Sequence, residues 1–82
     1  MSHVEEVVLA AHTQLMKDAE IDKESSRDLE LRRRNGIDSL GIVNLIMTIE
    51  DELDVELDEC LAQIRKCRTI GEMIDVIEAK VG

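Results

Sequence analysis

The chain contains no phenylalanine, tryptophan, tyrosine or proline, and only two cysteines among its 82 residues. Without aromatic rings, a core has to be built from Leu, Ile, Val, Met and Ala, a set that packs well between helices. Without proline, nothing in the sequence imposes the missing N–H and the steric clash that interrupt a helix. The cysteines, Cys60 and Cys67, are too few for a disulfide framework. On one continuous helix they would stand two turns apart, about 10 Å of rise, which is beyond disulfide reach. His3 and His12 lie far upstream of them and supply no four-ligand zinc pattern. Free thiols and no metal site are therefore expected. No apolar run approaches a membrane span, and residues 1–6 lack the basic and apolar parts of a signal peptide. The expected compartment is the cytoplasm.

Positive charge is also scarce. Ten Lys and Arg face nineteen Asp and Glu, for a formal net charge of -9. A nucleic-acid or anionic-membrane binder needs the opposite balance, because both surfaces are negative. Hydrophobic residues make up 44%, too many for a disordered acidic tail. The length fits one small domain, residues 1–82, with no room for an enzyme cleft of ordinary size. A small, acidic, monomeric all-α protein without catalytic residues is expected.

Four segments repeat apolar residues at helical spacing. Val4, Val7, Val8, Ala11 and Leu15 form one stripe, with a capping-box pair at Ser2 and Glu5. Ile70, Met73, Ile74, Ile77 and Val81 form another behind a second such pair, Thr69 and Glu72, and Gly82 follows. Leu57, Cys60, Leu61 and Ile64 predict a short helix between them. The helix predicted over residues 38–53 differs. Ile42, Leu45, Ile46, Ile49 and Leu53 make a core face, while Leu40, Val43 and Met47 gather on nearly the opposite side. Asn44, Glu50, Asp51 and Glu52 share its surface, which argues against full burial. Either a partner protein covers the second stripe, or the long preceding loop folds over it. These segments make a four-helix bundle, three main helices plus one short helix.

That loop, residues 17–37, exceeds the usual connection length. Leu29 and Leu31 are expected to pin it to the core, and residues 25–28 to form a helical turn. Arg32, Arg33 and Arg34 form a basic patch, either a solvated turn or a contact for a phosphate or an acidic partner. Next comes Gly36-Ile37-Asp38-Ser39-Leu40. Asp38 is a good N-cap, and Ile37 with Ile42 has the spacing of a hydrophobic staple. Ser39 then occupies the first helical position, where free N–H groups and the positive end of the helix dipole stabilise a phosphate. A catalytic role for Ser39 has little support. It lacks an identifiable base, and Gly-x-Ser-x-Gly is absent because residue 37 is Ile37.

Over nearly its full length the chain resembles the acyl carrier proteins. The resemblance rests on Gly36-x-Asp38-Ser39-Leu40, on Val43, Leu45, Met47 and Glu50-Asp51-Glu52-Leu53, and on Thr69-Ile70 and Ile74-Asp75-x-Ile77. It implies a four-helix bundle whose serine, here Ser39, carries 4′-phosphopantetheine installed from coenzyme A by a phosphopantetheinyl transferase. It further implies that Asp38 flanks the modified residue, and that Leu40, Val43, Met47, Glu50 and Asp51 belong to the helix that partner enzymes recognise. Those partners would include acyl transferases and ketosynthases. A peptidyl or aminoacyl carrier is the nearest alternative, and an unmodified acidic adaptor docking through Leu40, Val43 and Met47 is a third. Asn35, residues 32–34, Gly41, Asn44 and the basic segment 64–69 depart from fatty-acid carriers, which favours a dedicated acyl or polyketide pathway. The seven carboxylates and no basic residue between positions 50 and 59 make a field suited to steering basic surfaces.

Overall fold

A computed structural model describes residues 3–81. The chain forms α1 (His3–Asp18), α2 (Ser39–Leu53), α3 (Leu61–Lys66) and α4 (Ile70–Val81), with 3₁₀ turns at Arg33–Asn35 and Asp58–Cys60. This is the expected small all-α bundle with a long first connection. Its core comprises Val8 of α1, Leu45 and Ile49 of α2, Ile64 of α3, and Ile70, Met73, Ile74 and Ile77 of α4, together with Leu57 from the second connection. Aliphatic side chains, methionine and Cys60 fill it, with His12 and Asn35 as its buried polar members.

The helix ends follow their local chemistry. At α4 the Thr69–Glu72 box is complete: the Glu72 carboxylate accepts from Thr69 N at 3.0 Å and the Glu72 N–H donates to Thr69 Oγ1 at 3.2 Å. Ser2 and Gly82 lie outside the described residues, so the first capping box and the chain end have no structural account. At α2, Asp54 ends the helix in a left-handed conformation (φ 54°), its N–H donating to the Glu50 carbonyl. Glu50 also accepts the Leu57 N–H at 2.7 Å, tying the α2–α3 connection back onto α2.

Four details differ from the sequence reading. The α1 stripe continues through His12 and Met16, both fully buried, while Val7 and Leu15 are only half-buried. No helical turn forms at residues 25–28; residues 26–29 make a simple turn, closed by Leu29 N donating to Ser26 O, and the helical turn lies later, at Arg33–Asn35. The short helix reads as one continuous stretch in sequence, but its first residues wind as a 3₁₀ turn; Cys60 and Cys67 flank α3 as free thiols. Val81 is exposed rather than part of the α4 core face.

The first connection is anchored in two ways. Its middle lies beside the start of α4: Leu31 N donates to Arg68 O, Ile70 N to Leu29 O and Gly71 N to Arg27 O, with Glu30 opposite Thr69 in an antiparallel bridge. Leu29 and Leu31 pack against the core as expected. Arg27 adds ion pairs to Glu5 of α1 and Asp75 of α4.

The second anchor is polar and internal. The Asn35 carbonyl can only accept, so His12 Nε2 carries the proton and donates to it at 2.8 Å. His12 Nδ1 then accepts from the Ser25 hydroxyl at 2.6 Å. Asn35, itself buried, donates from Nδ2 to the Glu30 carbonyl and accepts from Lys23 Nζ through Oδ1. Thus α1 and both halves of the connection meet at one satisfied cluster.

Burial disfavours the imidazolium and outweighs the opposing pull of the Asn35 carbonyl, and nearby Lys23 pushes the same way, so His12 lies below its ordinary value of 6.5. Above 6.5 His12 is neutral whether the chain is folded or not. As pH falls through that value, the unfolded chain takes up a proton that the folded one refuses, and stability is lost down to the lower folded-state value. Urea denaturation between about pH 7 and about pH 5.5 should therefore show a steeper loss for the wild type than for His12→Gln. Parallel pH profiles for the two proteins would contradict this account.

Candidate functional site

The chain enters α2 through a tight turn built by two glycines. Gly36 adopts φ 80°, a left-handed conformation that closes the Arg33–Asn35 turn, and its N–H donates to the Arg33 carbonyl. Ile37 is then buried as the residue preceding the cap, with half-buried Ile42 also joined to the core, as a staple requires. Asp38 is extended, and its carboxylate accepts from the Gly41 N–H at 2.6 Å. A Cβ on Gly41 would stand 2.3 Å from the Gly36 carbonyl oxygen. In sequence Gly41 reads as a helix-weakening residue. In the fold it permits the close approach that sets the entry angle of α2.

Ser39 therefore occupies the first position of α2 and is exposed. Its hydroxyl has no hydrogen-bond partner among the described residues, and the N–H groups of Ser39 and Leu40 are likewise unpaired in the first turn. His12 cannot serve it as a base, because both ring nitrogens are engaged inside the bundle. Hence Ser39 is an accessible hydroxyl at the positive end of a helix, without machinery to activate itself.

Ser39 and Asp38 line a groove of about 700 Å³ that also includes Arg32, Arg33, Arg34 and Arg65. Its apolar side is made by Leu31, Ile37, Ile42 and Ile64, with Cys67 beside them. Burial, with Glu72 and Asp75 nearby, pushes the Cys67 thiol up, away from thiolate chemistry. The participation of Arg65 and Cys67 is not legible locally, because the path of the second connection brings them to Ser39. The basic character of both segments is the only signal available in sequence.

Along α2, Leu40 and Met47 are 69% and 56% exposed, Asp51 is exposed, and Val43 and Glu50 are half-buried. The first connection does not fold over Leu40 and Met47. Its bonds to α1 and α4 hold it elsewhere. Glu50 has a structural task as well, through the Leu57 N–H.

A family model described as a phosphopantetheine attachment site matches residues 10–77. The chain belongs to the acyl carrier protein family. It is 37% identical over 83 residues to an acyl carrier protein of Chlamydia felis, covering 100% of this chain and 99% of that one. It is 40% identical over 47 residues to an acyl carrier protein of Thermotoga maritima, covering 57% and 56% of the two chains. With the mitochondrial acyl carrier protein of Saccharomyces cerevisiae it shares 36% identity over 56 residues, covering 68% of this chain and 43% of the yeast one. These last two matches thus span about half of each relative's length. No solved structure gives a significant match. The cofactor of this family is phosphopantetheine, as the description of the matching family model states. The exposed hydroxyl, open N–H groups and arginine-lined groove fit an attached phosphate-bearing group. Among the described residues, no helix is long and apolar enough to cross a membrane.

The entry turn makes two energetic expectations specific. Asp38→Ala removes the N-cap acceptor and should cost about 1 kcal/mol. Gly41→Ala forces its new methyl against the Gly36 carbonyl and should cost about 1–3 kcal/mol, although alanine is the better helix former. Chemical denaturation of the unmodified proteins measures both. A Gly41→Ala protein as stable as wild type would contradict the close-approach argument.

Proposed function

We propose that Ser39 is the residue that carries 4′-phosphopantetheine, and that residues 1–82 act as one monomeric carrier domain. The thiol of that group, when bound, holds acyl intermediates as thioesters for delivery to partner enzymes. The observation carrying this reading is the hydroxyl of Ser39, exposed and unpartnered at the first turn of a helix long enough to serve as a recognition element. Asp38 contributes by fixing the helix start through Gly41, which keeps Ser39 outward. Among the described residues none is placed as a base for Ser39, so a phosphopantetheinyl transferase has to bring the activating group.

Leu40, Val43 and Met47 are proposed as the apolar contact for that transferase and for acyl transferases and ketosynthases. Asp51 and Glu50 lie on the same helix, where their charge steers basic partner surfaces. Fatty-acid or dedicated acyl or polyketide biosynthesis is the proposed setting, with the basic surroundings of Ser39 favouring a dedicated pathway. A cytoplasmic location belongs to the same proposal; the yeast relative, named as mitochondrial, defines the alternative compartment.

Incubation with coenzyme A and a transferase of broad specificity should add the mass of one phosphopantetheine, and Ser39→Ala should abolish the gain. Intact-mass measurement reads this directly. If several transferases leave the mass unchanged, the adaptor alternative through Leu40, Val43 and Met47 takes its place. Loading of the modified protein by adenylating enzymes, but not by acyl or malonyl transferases, would identify a peptidyl or aminoacyl carrier instead.

A further inference from the structure

The groove beside Ser39 has a charge that the rest of the molecule does not lead one to expect. In a chain of net charge -9, four of the side chains lining it are guanidiniums and Asp38 is the single carboxylate among them. That carboxylate is engaged by the Gly41 N–H. Arg32 and Arg34 are occupied as well, both paired with Glu30 at 3.0 and 2.7 Å. The guanidiniums of Arg33 and Arg65 have no ion pair or hydrogen bond among the described residues, and they approach the groove from different segments, the turn before α2 and the end of α3. The unpaired N–H groups of Ser39 and Leu40 point the same electrostatic way. Two free guanidiniums and a helix start thus share with Ser39 one groove whose apolar side is made by Leu31, Ile42 and Ile64.

An anion fits this arrangement, and Ser39 itself lines the groove, so a phosphodiester attached there arrives within it. We propose that Arg33 and Arg65 bind the phosphodiester of the group carried on Ser39 and seat its arm in the groove instead of leaving it free in solvent. This rests on Ser39 being the attachment residue. The guanidinium is the suitable donor, because its planar fork meets two phosphate oxygens at once. Arg32 and Arg34, held by Glu30, set the basic wall without competing for the same oxygens. The consequence is a carrier whose arm rests against the protein until a partner with its own charges draws it out.

The test uses the modified full-length protein with ¹⁵N in the two amides of the phosphopantetheine arm. At low salt the arm amides should be ordered, with order parameters approaching the rigid-backbone value of about 0.85. In about 0.5 M NaCl, where the Debye length is a few ångströms, they should fall below about 0.6. Arg33→Ala with Arg65→Ala should leave the arm mobile at both salt levels. Arg33→Lys with Arg65→Lys should restore part of the order, since charge is kept while the fork is lost. An unchanged backbone amide spectrum certifies that the variants remain folded. An arm that is mobile at low salt in the wild type, or one equally ordered in the double alanine variant, overturns the clamp while leaving attachment at Ser39 intact. If no phosphopantetheine mass can be added at Ser39, the attachment reading fails and the clamp falls with it.

Discussion

One buried polar cluster ties the long first connection to α1 and sets where the chain enters α2. His12 projects from α1 into a largely apolar core and donates to the backbone carbonyl of Asn35, immediately before the glycine that turns the chain into α2. An aliphatic side chain at position 12 could fill the same space but could not hold a loop carbonyl. The cluster is acceptable in a low-dielectric interior because its members satisfy one another: Ser25 on Nδ1, Lys23 on Asn35 Oδ1, and the Glu30 carbonyl on Nδ2. No buried side-chain nitrogen or oxygen among the described residues lacks a partner. Remove the imidazole and the Asn35 carbonyl loses its donor inside the protein, a loss that ordinarily exceeds the net worth of the bond itself. The position of Ser39 therefore depends on a residue of another helix, through four links of backbone.

This explains which parts of the molecule were legible in sequence. α2 and α4 announce themselves because both periodicity and capping are local: Asp38 and Thr69 lie within four residues of the groups they satisfy. Ser39 is legible for the same reason, as the residue after a cap, and the family resemblance assigns it a task. His12 and Asn35 are not. A histidine in an amphipathic stripe gives no local sign of whether it faces water or a loop carbonyl more than twenty residues away, and Asn35 reads as an ordinary turn residue. Gly41 misleads in the other direction. Helix propensity counts it as a cost, whereas the contact with Gly36 that makes it necessary exists only once the turn has formed.

The path of the connection also separates two readings of the second apolar stripe that periodicity alone left open. Leu29 and Leu31 are drawn toward α4 by backbone hydrogen bonds to Arg68 and Ile70. Those bonds commit the loop to the side of the bundle where α4 begins, and Leu40 and Met47 remain exposed on α2. Exposing two large apolar side chains on one helix face does nothing for folding, so their presence is better explained by contact with other proteins.

Charge placement on α2 leads to the same conclusion by an independent route. The helix dipole favours acidic groups at the first turn and basic groups at the last. Here the first turn has no acidic residue and the last no basic one. Arg32, Arg33 and Arg34 precede the positive end, and Glu50, Asp51 and Glu52 stand at the negative end. The acidic cluster opposes the dipole and the arginines lie outside the first turn, so helix stability gives no reason for either. Glu50 recovers part of its cost through the Leu57 N–H, and Arg32 and Arg34 recover theirs through Glu30. Arg33, Arg65 and Asp51 have no such compensation within the described residues. Residues that the fold neither needs nor neutralises are the ones available to recognise something else, and in this protein they flank the two ends of the helix that begins at Ser39.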